Sequence, residues 1–140
     1  MEKYDLRYEK NEAALLEAFL DLLLEENFAD IKVSQICQRA KINRSTFYLH
    51  YDNKEALLEE MSSDVLNEFS VLVADSLNAR GNELEHKIFE AFKYMAKYRR
   101  VLQSFNRELP GKGNFRNFFE PLIWVVRYAR FRRFVNFNRF

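Results

Sequence analysis

The chain has 140 residues, of which 48% are hydrophobic and 31% charged, with a formal net charge of +1. That length supports one sizeable core, or a small domain with a few extra helices. Three glycines and two prolines supply too little turn chemistry for an all-β protein, and one cysteine, Cys37, excludes an internal disulfide.

From residue 7 to 26 the apolar side chains Leu16, Phe19, Leu20, Leu23 and Leu24 recur at helical spacing, with Glu12, Glu17, Asp21 and Glu25 opposite. Asn27 is expected to end this helix in the left-handed conformation that asparagine tolerates, and Phe28 and Ile31 to fold back onto the core. Val33, Ile36, Cys37 and Ala40 follow an i, i+3, i+4, i+7 rule, one face of a two-turn helix that buries Cys37 as a small core residue. Lys41, Ile42 and Asn43 form a turn, and Asn43 is a good N-cap for a third helix over residues 44–51 with Phe47 inward. Asp52, with Glu55 three residues on, predicts a capping-box start for a fourth helix. It runs through Leu58, Met61, Val65, Phe69, Leu72 and Leu77, long enough to link one module to another. After NARGN (78–82) a fifth helix covers residues 83–98, with Leu84, Ile88, Phe92 and Met95 on one side and Phe89 nearby, and a shorter one covers 99–109. PGKGN (110–114) then breaks the chain.

Residues 32–54, KVSQICQRAKINRSTFYLHYDNK, carry Lys32, Arg39, Lys41, Arg44 and Lys54 against one acid, Asp52. Asn43, Ser45, Thr46, Tyr48 and His50 add neutral hydrogen-bonding groups. Each of these also suits a solvated helix face; together, on two short helices joined by a three-residue turn, they describe a helix-turn-helix reader of duplex DNA. The second helix would cross the backbone and the third enter the major groove. Arg44 is placed to take guanine bidentately and Thr46 to meet a thymine methyl or a phosphate. Tyr48, His50 and Lys54 lie on the side expected to meet phosphates.

The run from Phe28 to Leu58, and most specifically NRSTFYLHYDNKEAL (43–57), resembles the DNA-binding domain of the TetR family of transcriptional regulators. Ser45, Thr46, Phe47, Tyr48, Leu49, His50, Tyr51, Lys54 and Glu55 fit the family's pattern, and the resemblance extends over about the first 60 residues. It implies base or phosphate contacts from Ser34, Arg44, Ser45, Thr46, Tyr48, His50 and Lys54, and core roles for Val33, Ile36, Ile42 and Phe47. Two residues depart from the pattern. Lys32 stands where Thr or Ser usually caps the second helix, losing a side-chain cap and offering a phosphate contact. Lys41 stands where glycine is common, and a lysine at positive φ costs about 1 kcal/mol. The implied fold is all-α: an N-terminal three-helix DNA-binding domain (1–52), a long connecting helix and a short helical C-terminal region (53–140). The implied function is sequence-specific transcriptional regulation, as a repressor, by a homodimer on a near-palindromic operator, with release by an unidentified small-molecule effector.

From about residue 111 the resemblance fails. Residues 111–140 hold seven Lys or Arg, one acid and nine of the 22 aromatics, whereas the first 110 hold 15 bases and 20 acids. This basic aromatic tail admits three readings: replacement dimer helices, a nucleic-acid or membrane binder, or a truncated end. If the dimer helices are missing, the alternative function is a helical interaction module whose TetR-like head no longer regulates DNA. No phosphate-cradling glycine loop, no paired nucleophile and base, and no metal spacing among Cys37, His50 and His86 is present, so neither enzymatic activity nor a cofactor is expected. The N-terminus lacks a signal-peptide core and no apolar run reaches the roughly 18 residues of a membrane span, so the expected location is the cytoplasm.

Overall fold

The computed structural model describes residues 2–110, and these are built from helices alone. The expectations for the basic aromatic tail lie outside the described residues. In chain order the helices are α1 (Glu2–Glu25), a 3-10 turn (Phe28–Asp30), α2 (Val33–Ala40), α3 (Arg44–His50), α4 (Lys54–Leu77), α5 (Asn82–Lys97) and α6 (Arg99–Glu108). α1 packs on α2, α3 and α6, while α4 packs on α5 and α6. Among the described residues, no helix is long and apolar enough to cross a membrane.

Leu15, Phe19, Leu22 and Leu23 of α1 meet Phe28, Ile31, Ile36, Cys37 and Phe47 in the head core, all at 5% exposure or less. Leu57 and Leu58 close it from the first turn of α4. Further along α4, Met61, Val65 and Phe69 continue the stripe, and Ala91 of α5 with Val101, Leu102 and Phe105 of α6 supplies the buried residues of the later helices. Cys37 is a buried free thiol, pushed up in pKa by its burial.

Several local expectations change, and Leu77 at the end of the α4 stripe is 54% exposed. Leu24 is 51% exposed, because the core face of α1 runs through Leu15, Phe19, Leu22 and Leu23. Asn27 is extended (φ −76°, ψ 146°) rather than left-handed. α4 is capped by Asn53, whose side chain accepts from the Ala56 N–H at 2.8 Å, and not by Asp52. On α5 the inward side chain is Ala91, and Phe92 is 56% exposed.

Lys41 is the one non-glycine residue with positive φ among those described (φ 57°, ψ 42°). It lets the Ile42 N–H return to Cys37 O at 2.9 Å, closing α2 as a glycine-terminated helix would. Lys41→Gly should therefore raise stability by up to about 0.5 kcal/mol, the left-handed penalty less glycine's entropy loss; urea melts of the two proteins check it. Gly81 at the α4–α5 turn is also left-handed (φ 59°), a conformation glycine adopts without strain.

Candidate nucleic-acid interface

α3 is seven residues long, too short to be helical alone, and Phe47 is the one residue it buries. With Phe47 pinned inward, helical spacing sets the other side chains. Ser45 and Leu49 form the ridge opposite the core. Arg44 and Tyr48 flank it on one side, Thr46 and His50 on the other. Arg44, Ser45, Tyr48 and Leu49 are exposed and Thr46 and His50 half-buried. Among the described residues, Arg44, Ser45, Thr46 and Tyr48 make no side-chain hydrogen bond or ion pair. The Tyr48 and Phe47 rings meet edge to face at 5.3 Å, with Tyr48 48% exposed. Leu49, 70% exposed, lies on the outward ridge of α3, and the polar pattern does not single it out. The signal for it was its i+4 spacing from Ser45.

α2 contributes Ser34, exposed in its first turn, and the exposed Lys32 before it. Lys32 has no side-chain cap to give, but its backbone N–H donates to Gln35 Oε1 at 2.7 Å, and Gln35 Nε2 donates to Glu26 Oε1 at 3.1 Å. Gln35 thus does from inside the helix what a Ser or Thr cap would do from outside. Arg39 is held by a two-pronged pair with Glu25, at 2.6 and 2.7 Å. The guanidinium keeps the Glu25 carboxyl below its usual range. That pair ties α2 to the end of α1 and takes Arg39 out of the set of free cations. Asn43 sits at the N-cap position of α3 but makes no side-chain cap, which leaves its amide at the exposed entrance of the helix.

Lys54 departs from the expected phosphate contact. Its ammonium points inward, donating to Phe28 O at 2.8 Å, Ala29 O at 3.3 Å and Ile31 O at 2.8 Å. It also sits 4.4 Å from the centre of the Phe28 ring. An ammonium has three hydrogens, and three carbonyls of the α1–α2 connection take them. His50 is likewise turned partly inward: its ring stacks on Tyr8 of α1 at 3.9 Å.

Residues 15–61 match the family described as bacterial regulatory proteins, tetR family. The head of this chain is a TetR-family helix-turn-helix domain. The chain is 38% identical over 93 residues to YxbF, an uncharacterized HTH-type transcriptional regulator of Bacillus subtilis, a match covering 66% of this chain and 23% of that protein. It is 39% identical over 72 residues to DhaS of Lactococcus lactis, the HTH-type transcriptional activator of the dhaKLM operon, covering 50% and 37% respectively. A third relative, the uncharacterized HTH-type transcriptional regulator YdeS of Bacillus subtilis, is 40% identical over 52 residues, 37% of this chain and 26% of the relative. The matches thus span between about a quarter and somewhat over a third of the relatives' lengths. The matched residues contain all of α2 and α3 and Lys54, while Tyr8 precedes them.

Proposed function

We propose that this chain reads duplex DNA through α2 and α3 as a sequence-specific transcriptional regulator. The observation that carries the reading is the ridge pattern of α3. One buried ring, Phe47, holds Arg44, Ser45, Tyr48 and Leu49 outward, with the polar groups of the first three uncommitted among the described residues. A groove-entering helix needs such a face. Arg44 reads a base edge, Thr46 and Leu49 offer methyl groups to thymine, and Lys32, Ser34, Asn43, Ser45, Tyr48 and His50 contact or position the backbone. Lys54 supports the site from beneath.

The finer parts of the reading extend the family resemblance: a homodimer on a near-palindromic operator, repression, and release by a small effector. One head makes too few phosphate contacts to hold an operator at physiological salt, which favours two heads per site. Selection of bound duplexes from a random pool tests the whole reading. A recovered palindrome with half-sites about one helical turn or more apart is expected. A featureless pool would support the alternative, a helical interaction module that keeps the head without reading DNA.

Arg44→Ala should weaken binding to a recovered duplex by roughly 5- to 150-fold, the worth of one bidentate base contact, with a smaller loss on random duplex. Competition binding against both duplexes checks it, and equal loss on the two would remove Arg44 from base reading.

A further inference from the structure

His50 lies where three helices meet, and its surroundings do more than pack it. The imidazole stacks on the Tyr8 ring with centroids 3.9 Å apart and planes at 26°. The Tyr51 ring is also near, at 6.1 Å and 30°. Nδ1 is buried and has no hydrogen-bond partner, so Nε2 is the nitrogen left for an external acceptor. The acids around the ring come from two helices. Glu60 of α4 accepts from the Tyr51 hydroxyl at 3.2 Å, and the carboxyl of Glu12 of α1 acts on Glu60.

We propose that His50 is a proton-linked phosphate contact: duplex binding draws a proton onto its imidazole, and Tyr8 and Glu60 are the positioning residues that hold the charged ring. The inference rests on the DNA reading above and adds a pH dependence to it. In the free protein, burial holds His50 below its ordinary pKa, and only the Glu60 carboxylate opposes that. The ring is therefore neutral near pH 7, with one buried nitrogen left idle. A phosphate oxygen accepting from Nε2–H reverses the balance, because the adjacent anion favours imidazolium; the proton taken up from solvent goes onto Nδ1, the ring nitrogen that carries none in the neutral form. The added charge then faces two groups already in place. The Tyr8 ring presents its π face to a cation, and Glu60 supplies a carboxylate. Burial also pushes the Glu60 carboxyl up, with Glu12 adding to the rise. A cation at His50 favours its ionised form.

The sign follows from linkage. The free-state pKa is below the bound-state pKa, so the bound protein holds more protons between the two values. Affinity rises as pH falls through that window, by at most about tenfold per pH unit for one proton. It levels off once His50 is charged in both states.

The test is affinity of the full chain for a random-sequence duplex at pH 6 and pH 8, at fixed ionic strength, because a phosphate contact acts on any sequence. Calorimetry in two buffers of different ionisation enthalpy counts protons taken up. Binding about threefold to tenfold tighter at pH 6, with net proton uptake, is expected of the parent protein. His50→Gln removes the titrating group and should flatten the profile between pH 6 and pH 8. Tyr8→Ala and Glu60→Gln should each shrink the ratio of the affinities at pH 6 and pH 8. A purely structural Tyr8 would instead shift affinity equally at both pH values. A flat parent profile without proton uptake overturns the inference, as does an unchanged slope in His50→Gln. Because parent calorimetry stands alone, a variant that fails to fold does not protect the idea. Absence of duplex binding at either pH would bring down the DNA reading itself, and this inference with it.

Discussion

Phe47→Ala is expected to remove about 3–5 kcal/mol of stability, the range for truncating a fully buried phenylalanine, and to abolish duplex binding. Phe47 is 0% exposed, and its ring touches Tyr48 edge-on at 5.3 Å and Tyr51 at 5.9 Å. It is also the sole buried residue of α3, a helix with too few turns to persist without a tertiary anchor. Domains are stable by only about 5–15 kcal/mol, so the loss falls on the reading head as a whole. Phe47→Leu separates packing from aromatic identity. It keeps most of the volume and should lose less than half as much, with binding retained. Urea melts followed by circular dichroism, beside duplex binding, check both. A Phe47→Ala protein melting within about 1 kcal/mol of the parent would mean that α3 is held by something other than this ring.

The reading head was largely legible because its core positions are spaced unambiguously. Ile36 and Cys37 of α2 sit among polar neighbours, so only one face could be buried, and the α2 boundaries followed. Phe47 stood out on α3 for the same reason. α1 offered no such contrast. The run LLEAFLDLLLE is apolar on more than one side, so of the expected face Phe19 and Leu23 are buried, while Leu24 gives way and Leu15 and Leu22 join the core. Phe92 fell to the same ambiguity, since α5 can bury either its phenylalanines or the smaller Ala91. Single-residue chemistry was hardest where the partner is distant in sequence. Asn27 was given a left-handed cap from local preference, yet the connection after it is organised by Lys54, 26 residues beyond Phe28. His50 was placed on the outer face by its motif position, and nothing local signals that Tyr8 covers it.

That distant contact makes Lys54→Met the most discriminating substitution in the head. Methionine keeps an unbranched apolar stem to lie against Phe28 while removing the ammonium. Phe28 O, Ala29 O and Ile31 O then lose the donor that gathers them, and the ring of Phe28 loses the cation 4.4 Å from its centre. Hydrogen bonds to a charged group contribute about 1.5–3 kcal/mol each in isolation, but three on one partly exposed ammonium are not additive. A loss of about 2–3 kcal/mol, or roughly 5–10 °C in melting temperature, is expected in the absence of DNA. A lysine whose work is to meet phosphate from outside behaves differently. Its removal leaves the free protein's melt unmoved and lowers the salt slope of duplex binding by about one. The inward geometry of Lys54 predicts the opposite pair of results: a lowered melt and an unchanged salt slope. Duplex affinity falls through the loosened α1–α2 connection, which carries Lys32 and Ser34 into position beside α3. A parent-like melt together with a reduced slope would return Lys54 to the DNA-facing surface.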